Sequence, residues 1–184
     1  MRKFIFGLVV GIALVIGVTY AYFIYGFAPV ATDAAPLPFE KKLAVGALHA
    51  RIRKEMPREV PLTWDETNLT AGAQIYKQDC AVCHGLPGQD QTAIAKGMFP
   101  KPPKLLEGTG VTDDPPQETY WKVENGIRLS GMPGFRNALS AKEMWQVSLM
   151  LANANKLPQA TKDALSTTQA PAMNPNSTPG TKVR

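Results

Sequence analysis

Cysteine and histidine are almost missing from this 184-residue chain, which has two of each. With His49 and His84 the only imidazoles, a Cys/His zinc site lacks two further ligands at the usual spacing. Alternating apolar and polar stretches are also missing. That removes the strand-to-helix junction on which a thioredoxin-like Cys-x-x-Cys would sit. Charge of one sign is missing where it would matter for nucleic acid: residues 65–156 carry 9 basic and 10 acidic side chains. The net charge of +5 comes from Arg2 and Lys3, from residues 33–61 and from the C-terminal tail. A basic pI of 9.2 is therefore no argument for a nucleic-acid partner.

The two cysteines stand together, in Cys80-Ala81-Val82-Cys83-His84. Two thiols three residues apart with an imidazole immediately after them are what covalent haem attachment needs. The sulfurs add across the two porphyrin vinyl groups, and the adjacent imidazole becomes the proximal iron ligand. No other cysteine competes for a haem or offers an alternative disulfide, although a small disulfide loop or a redox dithiol remains the rival reading of the pair.

After Arg2 and Lys3 there is no acidic or basic side chain until Asp33. The most apolar part, residues 4–27, would span roughly 36 Å as a helix, enough to cross a bilayer with some tilt. Tyr20, Tyr22 and Tyr25 gather near its far end, where an aromatic belt would lie. A cleaved signal would have a shorter apolar core and a small-x-small site, whereas the candidate sites near Ala28 and Ala35 are each followed by proline. The expectation is a retained anchor in a bacterial cytoplasmic membrane, residues 1–27, with the rest of the chain on the periplasmic side.

Residues 28–60 read as a linker containing a helix over 39–56, with Val45, Leu48, Ile52 and Met56 on one stripe and His49 at its edge. His49 is a poor candidate for a haem ligand. The helix is free to lie on the membrane, dock on the folded domain or meet a partner. The folded domain is placed at 61–157. Its first helix is expected from near Thr70 to Cys80, capped by Thr70 or Asn68, with Gly72 available for close packing. Asp114-Pro115-Pro116-Gln117 predicts a second start, with Asp114 as N-cap and Asn125-Gly126 ending the helix. Ser140-Ala141-Lys142-Glu143 is a capping box opening a last helix to about Asn155, with Met144, Val147, Leu151 and Ala154 on its core face. The fold class is all-α. Residues 158–184, rich in Pro, Thr, Ser, Asn and Ala, read as a disordered tail.

An iron held by one imidazole has a second axial position. Met132, in Gly131-Met132-Pro133, is the best candidate, because glycine and proline let a loop approach a flat ring and hold a thioether over it. Met98 is a weaker choice on a stretch leading into three prolines; Met144 and Met150 are explained by helix packing, and Met173 lies in the tail.

With Gly72 and Tyr76 before the Cys80–His84 motif, Pro102-Pro103 after it, then Tyr120-Trp121, Asn125-Gly126 and Gly131-Met132-Pro133, residues 68–156 resemble the class I mono-haem cytochromes c. The resemblance implies a few helices wrapped round one covalent haem c, the first and last crossing. It also implies His84 and Met132 as axial ligands, with a carbonyl from the 100–103 loop accepting the His84 Nδ1–H. Tyr120, Trp121 and Arg128 would lie near the porphyrin, or else be ordinary core and surface.

The expected function is a membrane-tethered extracytoplasmic electron carrier. It is not an enzyme by itself, and it works between redox protein donors and acceptors that the sequence does not name. A fixed haem subunit of a larger membrane oxidoreductase and a haem-based gas sensor are the alternatives.

Overall fold

The computed structural model describes residues 1–108 and 112–166. Within them every regular element is helical, and the one extended pairing is an isolated bridge between Ile127 and Met132. Helix α1 (Arg2–Ile24) carries the uncharged run and buries none of its side chains. Among the described residues it is the single helix long and apolar enough to cross a membrane.

Helix α2 (Glu40–Glu55) forms where the linker helix is expected. Only the last turns of its apolar stripe are covered. Ile52 is 1% exposed where α2 meets α6 (Pro116–Asn125), while Val45 and Leu43 stay exposed. Arg51 bridges to Glu55 at 2.6 Å, and the Trp121 indole of α6 lies beside the same carboxylate. Gln117 donates to the Arg58 carbonyl just beyond the helix, at 3.5 Å. His49 is exposed on α2.

The domain is organised by a crossing of α3 (Glu66–Ile75) with α7 (Ala141–Ala152). Glycine is required at the crossing. A Cβ on Gly72 would collide with the Gln146 carbonyl and come within 2.9 Å of Met150 Cβ. Gln146 also donates to Asn68 at 3.0 Å, fixing the register of the two helices. Side chains 144–151 of α7 are all buried, so this helix is covered all round rather than on one face. Its Ser140–Glu143 capping box forms as read from the sequence, each end satisfying the other's N–H.

Three expectations need correction. The first domain helix starts at Glu66, not near Thr70. Asp65 is the cap, accepting the Asn68 N–H at 2.8 Å and the Thr63 hydroxyl at 2.5 Å. Thr70 points elsewhere, sharing a 3.0 Å hydrogen bond with the Thr161 hydroxyl. Helix α6 is capped by Pro115 with Pro116 at its first position, one residue later than expected, because Asp114 is engaged by Lys122 at 3.0 Å. The tail does not begin at 158. Gln159–Ser166 is a helix, α8, packed on α3 through buried Thr161 and Leu165. The remainder of the expected tail, 167–184, lies outside the described residues.

Candidate haem site

The cysteine motif sits at the end of the first domain helix. After Ile75 the helix widens into a π-helical turn, Tyr76–Cys80, and then tightens into one α turn, α4 (Ala81–His84), which stops at Gly85 with φ +78. Tyr76 is buried and donates its hydroxyl to the Gly85 carbonyl at 2.8 Å. The phenol thus ties the end of the motif back to the helix that carries it. Burial raises the Tyr76 pKa, so the phenol stays a donor throughout the physiological range.

Cys80 and Cys83 are both unpaired thiols and both half-buried. Burial, with the Asp79 and Cys83 charges adding, pushes the Cys80 thiol up to about 12. A redox dithiol or a zinc thiolate needs the opposite shift. Among the described residues no cluster of three or more His, Cys, Asp or Glu is placed to hold a metal ion.

His84 Nδ1 lies 2.8 Å from the Pro103 carbonyl. A carbonyl only accepts, so Nδ1 carries the proton and Nε2 keeps its lone pair for a metal. Of the prolines left open by the sequence, Pro103 is the partner. Burial lowers the His84 pKa against a smaller opposing effect of that hydrogen bond, which favours the neutral imidazole a ligand must be.

Met132 is held on a closed loop over residues 126–134. Its carbonyl accepts from the Ile127 N–H at 3.1 Å, and the Ser130 hydroxyl donates to the Ile127 carbonyl at 2.6 Å. The loop's two ends touch: a Cβ on Gly126, at φ +68, would lie 2.5 Å from the Gly134 nitrogen. Beyond the neck, Phe135 N–H donates to the Val123 carbonyl at 2.8 Å, clamping the loop to α6. Met132 is half-buried and packs on the edge of the core, as do Cys80, Leu105, Leu106 and Phe135. At the tip Leu129 takes φ +62 and is 91% exposed.

The other methionines separate cleanly. Met144 and Met150 are buried on α7 and Met173 lies outside the described residues, whereas Met98 is half-buried with its methyl group against Gly131. Tyr120 stacks on Trp145, ring centroids 4.2 Å apart, Trp121 is buried beside Glu55, and Arg128 is exposed.

Sequence reasoning missed the helical turn α5 (Ala93–Lys96) between His84 and the prolines. Its signal was present: Thr92 as cap and Gly97 as stop. The Thr92 hydroxyl accepts from the Ala95 N–H at 3.1 Å and donates to the Val82 carbonyl at 2.6 Å, binding this turn to the motif.

Two unpaired thiols on adjoining turns, an oriented imidazole that keeps its Nε2 lone pair and a thioether on a clamped loop are the donor set a covalently attached haem calls for. Residues 67–149 match the family described as Cytochrome C oxidase, cbb3-type, subunit III. The chain is also similar to quinohemoprotein alcohol dehydrogenase ADH IIB of Pseudomonas putida, 29% identical over 89 residues. That match takes in 48% of this chain and 11% of the relative, so the chain spans only about a tenth of that protein. Among solved structures it is similar to the Kuenenia stuttgartiensis reducing HAO-like protein complex Kustc0457/Kustc0458. The TM-score is 0.45 and the identity 22%, over 67% of this chain and 66% of that one. Residues 67–149, which contain both the Cys80–His84 turn and the Met132 loop, therefore match a cytochrome c family domain, and such a domain implies haem-based electron transfer with covalently bound haem c.

Proposed function

We propose that this chain is an electron carrier tethered to the outer face of a bacterial cytoplasmic membrane by α1, with a single haem c held by Cys80, Cys83, His84 and Met132. The observation that supports the reading is the Cys80–His84 turn, with His84 Nδ1 bonded to the Pro103 carbonyl, which leaves the Nε2 lone pair for a metal. When bound, haem supplies an iron that passes between ferrous and ferric. The residues supply the rest. Cys80 and Cys83 fix the porphyrin by thioether bonds, and the Pro103 carbonyl orients the imidazole and raises its basicity. The Met132 thioether, a soft donor, favours the ferrous state and so a relatively high potential. With His84 and Met132 both holding the iron, no place on it would be left for a substrate.

Arg2 and Lys3 open α1, while residues 25–39 after it contain no lysine or arginine, a bias that favours a cytoplasmic N-terminal end. The docking partners are redox proteins. A second reading, a fixed haem subunit of a larger oxidoreductase, is favoured by the family's description as an oxidase subunit. Co-purification of a stoichiometric partner in mild detergent selects it over a lone carrier.

Intact mass after acid–acetone extraction of the membrane-derived protein tests the attachment: haem mass should remain on the chain, and recovery of the bare polypeptide would overturn the proposal. Carbon monoxide tests the ligation. The ferrous wild type should be low-spin and resist it, while Met132→Ala, with haem still attached, should bind it readily at a lower midpoint potential. Rapid, tight binding by the wild type would turn the reading toward a gas sensor.

A further inference from the structure

We propose that Met98 is a positioning residue that braces the Met132 loop against the haem-attachment turn, with α5 as the strut between them. The inference rests on the ligation proposed above, but its geometry is independent of it. At one end of α5 the Thr92 hydroxyl, which caps the helix, donates to the carbonyl of Val82, a residue lying between the two cysteines. In the middle Ala95 is fully buried and accepts the Met98 N–H at 3.4 Å. At the other end the Met98 methyl fills the place a side chain at position 131 would take, since a Cβ on Gly131 would lie 2.7 Å from Met98 Cε. Gly131 itself is at φ +74 and directly precedes Met132. The strut thus runs from the thiols to the residue beside the thioether.

The neck of the Met132 loop is clamped to α6 through Phe135 and Val123, but its tip, around Leu129, is open to solvent. Met98 leans on the loop between neck and tip. Its flexible, unbranched side chain suits that task, filling an irregular gap without fixing the loop rigidly. Shortening the strut should let the loop open more often while leaving Met132 able to return.

Carbon monoxide reads that opening, because it binds only when the sixth position is vacated. The experiment compares full-length haem-loaded Met98→Ala, Met98→Leu and Thr92→Val with wild type by flow mixing of the ferrous forms, with thermal melts in parallel. Met98→Ala should keep the low-spin spectrum but take up carbon monoxide about tenfold faster, the factor expected when contacts of one partly buried thioether end are lost. Met98→Leu, which still reaches Gly131, should stay within about twofold of wild type. Thr92→Val, cutting the strut at its other end, should accelerate uptake in the same direction, and it decides the matter if Met98→Ala fails to mature. Wild-type uptake rates in Met98→Ala and Thr92→Val would overturn the brace, as would a loss of the low-spin spectrum in Met98→Ala equal to that in Met132→Ala, which would make Met98 the ligand. An unchanged spectrum in Met132→Ala would instead refute the underlying ligation.

Discussion

The crossing of α3 and α7 should fail on the addition of one methyl group. In Gly72→Ala the new Cβ would meet the Gln146 carbonyl oxygen, lie 2.7 Å from its carbon and 2.9 Å from Met150 Cβ. Two of these atoms are backbone and the third is the first atom of a side chain, so no rotamer change relieves the overlap and the helices must separate. Overpacking of this kind costs about 1–3 kcal/mol, and contact with fixed atoms puts it at the upper end. Alanine returns about 1 kcal/mol of helix propensity, leaving a net loss of about 2 kcal/mol. For a domain of this size that lowers Tm by roughly 8–16 °C. Gly46→Ala is the internal control. It lies inside α2 with nothing within 4 Å of its added Cβ, so it gains the same propensity without the collision and should not lower Tm. Thermal melts of the haem-loaded variants followed at 222 nm make the comparison. A Gly72→Ala midpoint equal to wild type would refute the argument that close approach, rather than chance, places glycine there.

Tyr76→Phe removes the donor to the Gly85 carbonyl and should cost about 1–2 kcal/mol in denaturant melts, with the His84 end of the motif exchanging its amide protons faster. Glu143 is held below its usual carboxylate value, chiefly by the Ser140 hydroxyl and backbone N–H, so its contribution is complete above its ordinary pKa of 4.5 and is lost as the pH falls through the depressed folded value. Glu143→Gln should therefore narrow the difference in Tm between pH 7 and pH 3, and an unchanged difference would show that the capping box does not titrate with folding. Ile52→Ala should free α2 from α6 without unfolding the domain: limited trypsin should cut within 40–58 at least several-fold faster while the haem spectrum holds, whereas equal cleavage would mean that the contact does not retain the helix.

The parts of the fold that the sequence announced are those whose signal is local. The Ser140 capping box is complete within four residues, and α7 begins where it says. The haem motif is complete within five. Where two local signals compete, the outcome depends on partners distant in the chain. Asn68 and Thr70 both look like caps, but Asn68 donates to Asp65 and receives Gln146, while Thr70 is taken by Thr161, ninety-one residues away. The same pairing explains the missed helix α8. Leu157, Thr161 and Leu165 repeat every four residues, a helical stripe hidden in a composition of proline, serine and threonine, and it has meaning only once α3 is there to cover it. Pro103 was selected over its neighbours by geometry that proline-rich sequence does not encode.

On the proposed reading of α1 as a membrane anchor, docking of α2 alters what the tether does. If residues 28–60 were one flexible linker, the domain would have an r.m.s. reach of roughly 30 Å. With the end of α2 seated on α6, that segment is no longer a free coil. The non-helical stretch between Ile24 and Glu40 is 15 residues, with a reach of roughly 20 Å. Phe39 at φ +64 and the Leu37 N–H bonded to Glu40 at 2.8 Å restrict its last residues further. For a haem domain anchored by α1, shortening the flexible part raises its effective concentration at partners in the same membrane and reduces it for partners far above the surface. A charge-balanced domain has little long-range steering to offer. In the proposed anchored carrier, proximity set by the tether would take over the part that a charged face plays in a freely diffusing carrier.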